Sequence, residues 1–230
     1  MTATLPLFPL GTVLMPGAPL PLHIFEPRYR ALTADLVSEK VPGGEFGVVA
    51  VREGHSADRD GLAGVQPVGC SAVLLDARPL PDGRYDVVTR GARRFRLLDV
   101  LDPADTGRPY LCGTVEFLPD AIEGDAPDPR LVSMLESSAR AAHRAYCDTA
   151  WRNDDWSEPG EDVPTAELPH LLAGDCLLPM GDRQDLLEQT CPVQRLRDVR
   201  RLLVREQGLL RRLHAVPAPL DAFPAEPSPN

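Results

Sequence analysis

The sequence turns on Leu5-Pro6-Leu7-Phe8-Pro9-Leu10, then Pro16-Gly17, then Leu20-Pro21-Leu22-His23-Ile24-Phe25-Glu26-Pro27-Arg28-Tyr29-Arg30. Two short apolar extended segments, each broken by proline, run straight into a helix. Proline has no N–H to give a sheet ladder, so Pro6, Pro9 and Pro21 are expected at edges, bulges or strand ends. Apolar strands with that restriction suit the opening of a small, irregular barrel better than the middle of a flat sheet. Pro27 fits the first helical turn, where a missing N–H loses no helical partner.

Beyond Tyr29, the apolar positions Leu32, Leu36 and Val37 carry the helix on to the breaker Pro42-Gly43-Gly44. Strands are read at 46–51, 65–75, 85–89, 95–101 and 110–118. A polar loop spans 52–64, Asp82-Gly83 is hairpin-turn chemistry, and Gly91 reads as a break between two strands. Six or seven short strands with regular turn signals predict an all-β barrel or sandwich.

The composition changes after residue 118. Residues 119–127 are acidic and proline-bearing and read as a linker. Asp128 is the expected N-cap of a helix with Pro129 at its first position, running to about Trp151 and carrying Leu131, Met134, Leu135 and Ala142. An acidic irregular stretch at 153–164 follows. Further helices are expected at 165–177, at 182–189 with Asp182 as cap, and at 192–214. In the last, Leu196, Val199, Leu203, Leu210 and Leu213 form one stripe. The fold class is therefore α+β with segregated halves: a β subdomain, barrel or sandwich, with one early helix at 1–118 and a helical bundle at 128–215. The Pro- and Ala-rich tail, 216–230, is expected to be disordered.

Charge narrows the function. Among 230 residues, 24 basic side chains face 34 acidic ones, for a net charge of −10. Such a chain is repelled by nucleic acid and anionic lipid unless it hides a basic patch. The last helix offers one: seven arginines (Arg195, Arg197, Arg200, Arg201, Arg205, Arg211, Arg212) against Asp198 and Glu206. No aromatic residue accompanies them to stack on bases. The favoured reading is a salt-bridged face packed on the acidic linker, with RNA binding as the rival. No apolar run reaches the ~20 residues of a membrane helix, and no secretory leader is legible, so a cytoplasmic protein is expected.

The five cysteines are odd in number, widely spaced and free of C-x-x-C, which argues against a disulfide framework and a zinc knot. They read mostly as small buried hydrophobes. His143 and Cys147, four apart on a helix, share a face. His170 and Cys176 belong to a neighbouring helix without that spacing. Because a structural metal site usually needs four converging ligands, the reading is no metal and no cofactor. A phosphate-binding G-x-x-x-x-G-K-[ST] loop, a G-x-S-x-G elbow and an H-E-x-x-H pair are all missing. Glu26, Arg28 and Tyr29 at the strand-to-helix turn read first as a clamp on the early helix, second as the polar rim of a peptide groove. They bring no nucleophile or paired carboxylate with them, so a non-enzymatic role is expected.

These residues also carry a resemblance. L-P-L-F-P-L-x-x-V-L-x-P-G-x-x-L-P-L-x-I-F-E-P-R-Y resembles the start of the Lon N-terminal domain family, the substrate-binding region of the ATP-dependent protease Lon. Val68-Gly69-Cys70, the hairpin ending in Arg90-Gly91-x-x-Arg94-Phe95, and Leu177-Leu178-Pro179 through Pro192-x-x-Arg195-Leu196 follow in family order. The resemblance implies a PUA-like β-barrel followed by a helical bundle. It also implies recognition of unfolded or degron-bearing polypeptide, as an adaptor or holdase, in company with a protease or chaperone. No catalytic residue carries over from it. The expected contact surface is Leu22, Phe25, Glu26, Arg28, Tyr29 and the facing Arg90, Arg94 and Phe95. A small-ligand pocket between barrel and bundle is the other alternative.

Overall fold

In the computed structural model, which describes residues 2–121, 127–151, 156–174 and 176–213, the extended segments join in one six-stranded sheet. In chain order the elements are β1 (Thr2–Leu10), β2 (Pro19–Ile24), α1 (Pro27–Val37), a 3-10 turn (Pro42–Gly44), β3 (Glu45–Ala50), α2 (Ala57–Asp60) and a second 3-10 turn (Gly61–Gly64). There follow β4 (Val68–Pro79), β5 (Tyr85–Leu101), α3 (Pro103–Thr106), β6 (Cys112–Phe117), α4 (Pro129–Ala150), α5 (Leu168–Gly174), α6 (Met180–Glu188) and α7 (Pro192–Leu213). Part of the expected linker, part of the acidic stretch after α4, and the tail lie outside the described residues.

The strand order is β2-β5-β4-β3-β1-β6, and β6 pairs back onto β5. Five strands thus close into a ring of hydrogen-bonded neighbours, with β2 added outside as an edge. β1 explains its prolines. Residues Thr2–Pro6 lie opposite β6, and Leu7–Leu10 lie parallel to β3, so each half of the strand pairs with a different partner strand. A strand that changes partner midway tolerates Pro6 and Pro9, because one side of the chain makes no ladder demand there.

Gly91 does not break a strand. β5 runs unbroken through it for 17 residues. The glycine is there for the crossing chain: a Cβ at this position would stand 2.1 Å from the Met15 carbonyl oxygen. The Gly91 N–H donates to the Ala18 carbonyl and its own carbonyl accepts from Gly17. The polar 52–64 segment is also more ordered than a loop. The Asp60 carboxylate accepts from the Ser56 N–H at 2.8 Å, closing the turn that becomes α2.

Phe95, expected on the contact surface, instead fills the ring interior with 0 % exposure, among Leu5, Leu7, Val49, Leu97 and Val115. The ring closes around it because the opposing positions have no side chain. A Cβ at Gly47 or Gly69 would stand 2.8 or 2.6 Å from the Phe95 ring.

A second apolar core joins the outside of the ring to the helices, with Met15, Val48, Cys70 and Ala72 against Leu172, Leu187, Leu196 and Leu203. α4 bears out part of the expected face, with Ala142 buried and Leu135 packed against the core. Met134 is exposed, while Ala139, Ala142, His143, Tyr146, Cys147 and Ala150 are buried. The alanines admit α7 alongside, and Ser138 and the Ala145 carbonyl accept from Arg200 and Gln207. Both contacts advance seven residues together, so α4 and α7 run side by side in the same direction. The Asp128 cap is present, accepting from the Arg130 N–H. Asp182, expected as a cap, lies inside the first turn of α6 and binds Arg205; Pro179 holds the cap position.

Arginine fastens ring to helices. Arg94 of β5, also expected at the contact surface, is buried and points at the helical half. Its guanidinium donates to the Leu187 and Gln189 carbonyls and to Asp120 Oδ1 at 2.7 Å. Arg195 of α7, fully buried, donates to the same oxygen at 2.7 Å and to the Gln189 and Ala166 carbonyls. Burial pulls the Arg94 guanidinium down from its usual range, Arg195 adds to that, and Asp120 opposes it. His170 sits beside the pair, buried, its imidazole held well below its ordinary pKa by burial first and by the charges of Arg195 and Arg94 second.

Two expectations follow. Asp120→Ala leaves two buried guanidinium groups without their shared anion and destabilises the fold by about 3 kcal/mol, read from urea midpoints. His170 stays neutral in the fold but takes a proton when unfolded below pH ~6.5. The unfolded chain then binds more protons, so stability falls on acidification from that pH, by up to ~1.4 kcal/mol per unit until the folded group titrates. Urea midpoints between pH 7.5 and 5 show that slope in the native chain and a flatter one in His170→Gln.

Candidate functional site

The strand-to-helix turn at Phe25–Glu26 ends an edge strand, and this puts unpaired side chains beside open space. Among the described residues β2 pairs only with β5, with Ile24 opposite Tyr85. Prolines at 19 and 21 remove two N–H donors from this edge, which blunts it against addition of another strand. Recognition here therefore rests on side chains.

Those side chains line a cleft of about 370 Å³ between the end of β2, the start of α1, the end of β1 and residues 55–58. Phe8, Leu10, Leu22 and Ile24 supply apolar wall. Phe25 stands at the rim, 62 % exposed, which is unusual for a phenylalanine. Tyr29 is buried, stacked on Phe8 with ring centroids 4.0 Å apart and planes 17° from parallel. Phe46 backs Phe8 at 6.1 Å. This aromatic stack fixes the N-terminus of α1 against the ring.

Arg28 closes one side of the cleft. Its Nη1 donates to both oxygens of Asp58, at 2.6 and 2.7 Å, and its Nε donates to Glu26 at 3.0 Å. Its guanidinium carbon lies 4.7 Å from the centre of the Tyr29 ring. The hydrogen bond to Asp58 raises the Arg28 pKa against the opposing effect of burial. Burial pushes the Tyr29 phenol up to about 12, only partly offset by the Arg28 charge. Both groups therefore keep their protons at physiological pH, and neither serves as a base. The site offers an apolar floor, one exposed aromatic and a fixed ion-paired rim, which is equipment for binding.

Leu22, Phe25, Glu26, Arg28 and Tyr29 thus meet at one cleft. Arg90 does not join them: it lies opposite Pro19, at the far end of β2. Arg94 and Phe95 face the interior. The sequence groups Arg28 with Glu26 and Tyr29 but gives no sign of Asp58 and His55, which line the same cleft from a polar segment without any motif.

A second cavity of about 610 Å³ lies between strands and helices, lined by Arg93, Arg94, Phe117, Asp120 and His170 among others. Its principal charges are already engaged with each other, and Arg93 lies over the Phe117 ring at 3.7 Å while binding Glu45. No helix among the described residues is long and apolar enough to cross a membrane.

The model of the ATP-dependent protease La (LON) substrate-binding domain matches residues 4–205. Lon protease of Anaeromyxobacter dehalogenans is 26 % identical over 215 residues, covering 91 % of this chain and 24 % of that protein. Lon protease 2 of Myxococcus xanthus is 25 % identical, covering 90 % and 24 %. The chain spans about a quarter of the length of these relatives. Among solved structures, a Lon N-terminal domain protein from Xanthomonas campestris superposes with a TM-score of 0.58 at 26 % identity, covering 86 % of this chain and 96 % of that one. The N-terminal domain of Mycobacterium avium complex Lon protease shares the fold, with a TM-score of 0.60 at 19 % identity over 90 % and 98 % of the two chains.

Asp58→Ala is expected to free the 55–60 turn while leaving the aromatic stack intact. Loss of this partly exposed ion pair is worth ~1 kcal/mol, so amide exchange there rises roughly fivefold, measured by hydrogen–deuterium exchange.

Proposed function

The chain belongs to the family of substrate-binding domains of the ATP-dependent protease La (LON), and on that premise we propose that it recognises polypeptide without acting on it chemically. The single observation that carries this reading is Phe25, a large apolar side chain held in water at the rim of an apolar cleft. An exposed aromatic beside a preformed pocket is the kind of anchor on which binding energy concentrates. The ligand we infer is an unfolded or degron-bearing segment whose apolar side chains enter the cleft beside Phe25, with Arg28 and Glu26 meeting its polar backbone.

In this reading the closed strand ring is a PUA-like barrel, residues 1–118, and residues 128–215 form a helical bundle that braces it. The protein acts in the cytoplasm as an adaptor or holdase, handing its ligand to a protease or chaperone. The match to Lon relatives through their substrate-binding part supports a non-catalytic role. The final-helix arginines speak for packing over phosphate contact: Arg195 is buried on Asp120, and Arg200, Arg201 and Arg205 bind Ser138, Asp198, Asp182 and Glu206.

The test is fluorescence anisotropy with an unfolded model polypeptide, the same polypeptide folded, and a structured RNA, at two salt concentrations. Selective, salt-tolerant binding of the unfolded chain is expected. Phe25→Ala weakens it about tenfold or more, the effect of a central aromatic anchor, with an unchanged circular dichroism spectrum. Binding of RNA alone, lost steeply with salt, moves the site to α7 and overturns the proposal.

A further inference from the structure

Away from the cleft, the helical half brings together three donor side chains that recognition does not use. His143 and Cys147 lie one turn apart on the buried face of α4, and Cys176 follows the end of α5. The imidazole nitrogen and the two sulfurs are all within 4.8 Å of one another. Exposure is 0 % at His143 and Cys147 and 1 % at Cys176. The sequence places only His143 and Cys147 on one face; the fold adds Cys176 and sends His170 to the arginine seam instead.

The geometry suits a metal ion. Cys147 Sγ and His143 Nε2 are 3.5 Å apart. With Zn–S of ~2.3 Å and Zn–N of ~2.0 Å, the N···S edge of a tetrahedral zinc site is ~3.5 Å. His143 Nδ1 has no hydrogen-bond partner among the described residues. A neutral ring with its proton on Nδ1 turns the Nε2 lone pair toward the sulfurs. The third donor is held in place by backbone bonds. Leu177, the next residue, donates its N–H to the Tyr146 hydroxyl at 3.0 Å, while the Cys176 thiol donates to the Leu172 carbonyl at 3.2 Å, a bond that ion binding would replace. Trp156 covers the imidazole edge-on at 5.5 Å.

We propose that His143, Cys147 and Cys176 form a binding site for Zn(II) that staples α4 to the segment between α5 and α6. Charge selects the ion. Two thiolates and a neutral imidazole balance a divalent cation, leaving a neutral cluster in apolar surroundings, whereas Cu(I) would leave a buried negative charge. On loading, each thiol gives its proton to solvent and forms a Zn–S bond, so two protons leave per ion bound. The imidazole donates its lone pair, and one coordination position remains for an exogenous donor such as water.

The experiment uses the full chain without a histidine tag, stripped with a chelator and titrated with Zn(II) against a chromophoric chelator, then with Co(II) in an absorption spectrometer. The expected result is one equivalent bound, a sulfur-to-cobalt charge-transfer band, two protons released, and a Tm that rises with Zn(II). Cys147→Ala and Cys176→Ala weaken binding at least ~100-fold, as loss of a ligand outweighs loss of an outer-shell partner. Cys191→Ala leaves it unchanged. The native titration stands without the variants: a folded chain that leaves Zn(II) and Co(II) with the chelator overturns the proposal. So does binding that survives both alanine variants, or binding of Cu(I) alone.

Discussion

One carboxylate oxygen holds the two halves of this protein together. Asp120 Oδ1 accepts from Arg94 of the strand ring and from Arg195 of the last helix, each at 2.7 Å. A buried guanidinium costs several kcal/mol to desolvate, and two side by side repel as well. The arrangement persists because other nitrogens of the two groups meet backbone carbonyls at 119, 166, 187 and 189, all at the ends of elements. Those carbonyls belong to helix ends and connectors that have no ladder of their own to satisfy them. The seam therefore settles most of its own hydrogen bonding, with Arg195 Nε left without a partner among the described residues, while fixing where α5, α6 and α7 sit on the ring. Gln184 and Arg183 extend the same logic, donating from α6 to the Val68 and Val13 carbonyls.

The candidate cleft depends on that bracing only indirectly. It is built from the last residues of β1 and β2 and the first turn of α1. Its rigidity comes from aromatic stacking of Tyr29 on Phe8, and its mouth is set by Arg28 on Asp58. Blunting of the β2 edge by proline and exposure of Phe25 act together. The first discourages indiscriminate strand pairing, which would lead to aggregation, and the second leaves a selective apolar contact. The cluster of His143, Cys147 and Cys176 lies in the helical half, so an ion bound there acts on stability without entering the cleft.

Much of this architecture is legible in the chain because it is local. Proline and glycine punctuate it, Asp82-Gly83 turns β4 into β5, Asp128-Pro129 starts α4, and a stripe through Leu196, Val199 and Leu203 shows which face of α7 is buried. Leu22 to Tyr29 come together for the same reason: they are neighbours along one strand-to-helix turn. The ordered motifs also carry the family resemblance, since they are written as short runs of adjacent residues.

Tertiary structure alone decided the rest. Phe95 is legible as the start of a strand with Arg94 just before it, but adjacent strand residues point to opposite faces, and only the ring's register sends Phe95 inward and Arg94 to the helices. Gly91 reads as a break from sequence; it is the crossing of residues 15–18, distant in the chain, that makes it a contact point. Asp58 lies in a polar segment without periodicity and acquires its role only from Arg28, and Cys176 acquires its neighbours only from the packing of α5 on α4. Periodicity and capping are written in consecutive residues, so the sequence determined elements and their faces. Which side chains meet across the molecule depends on register and packing summed over many weak contacts, and no single stretch of sequence encodes that sum.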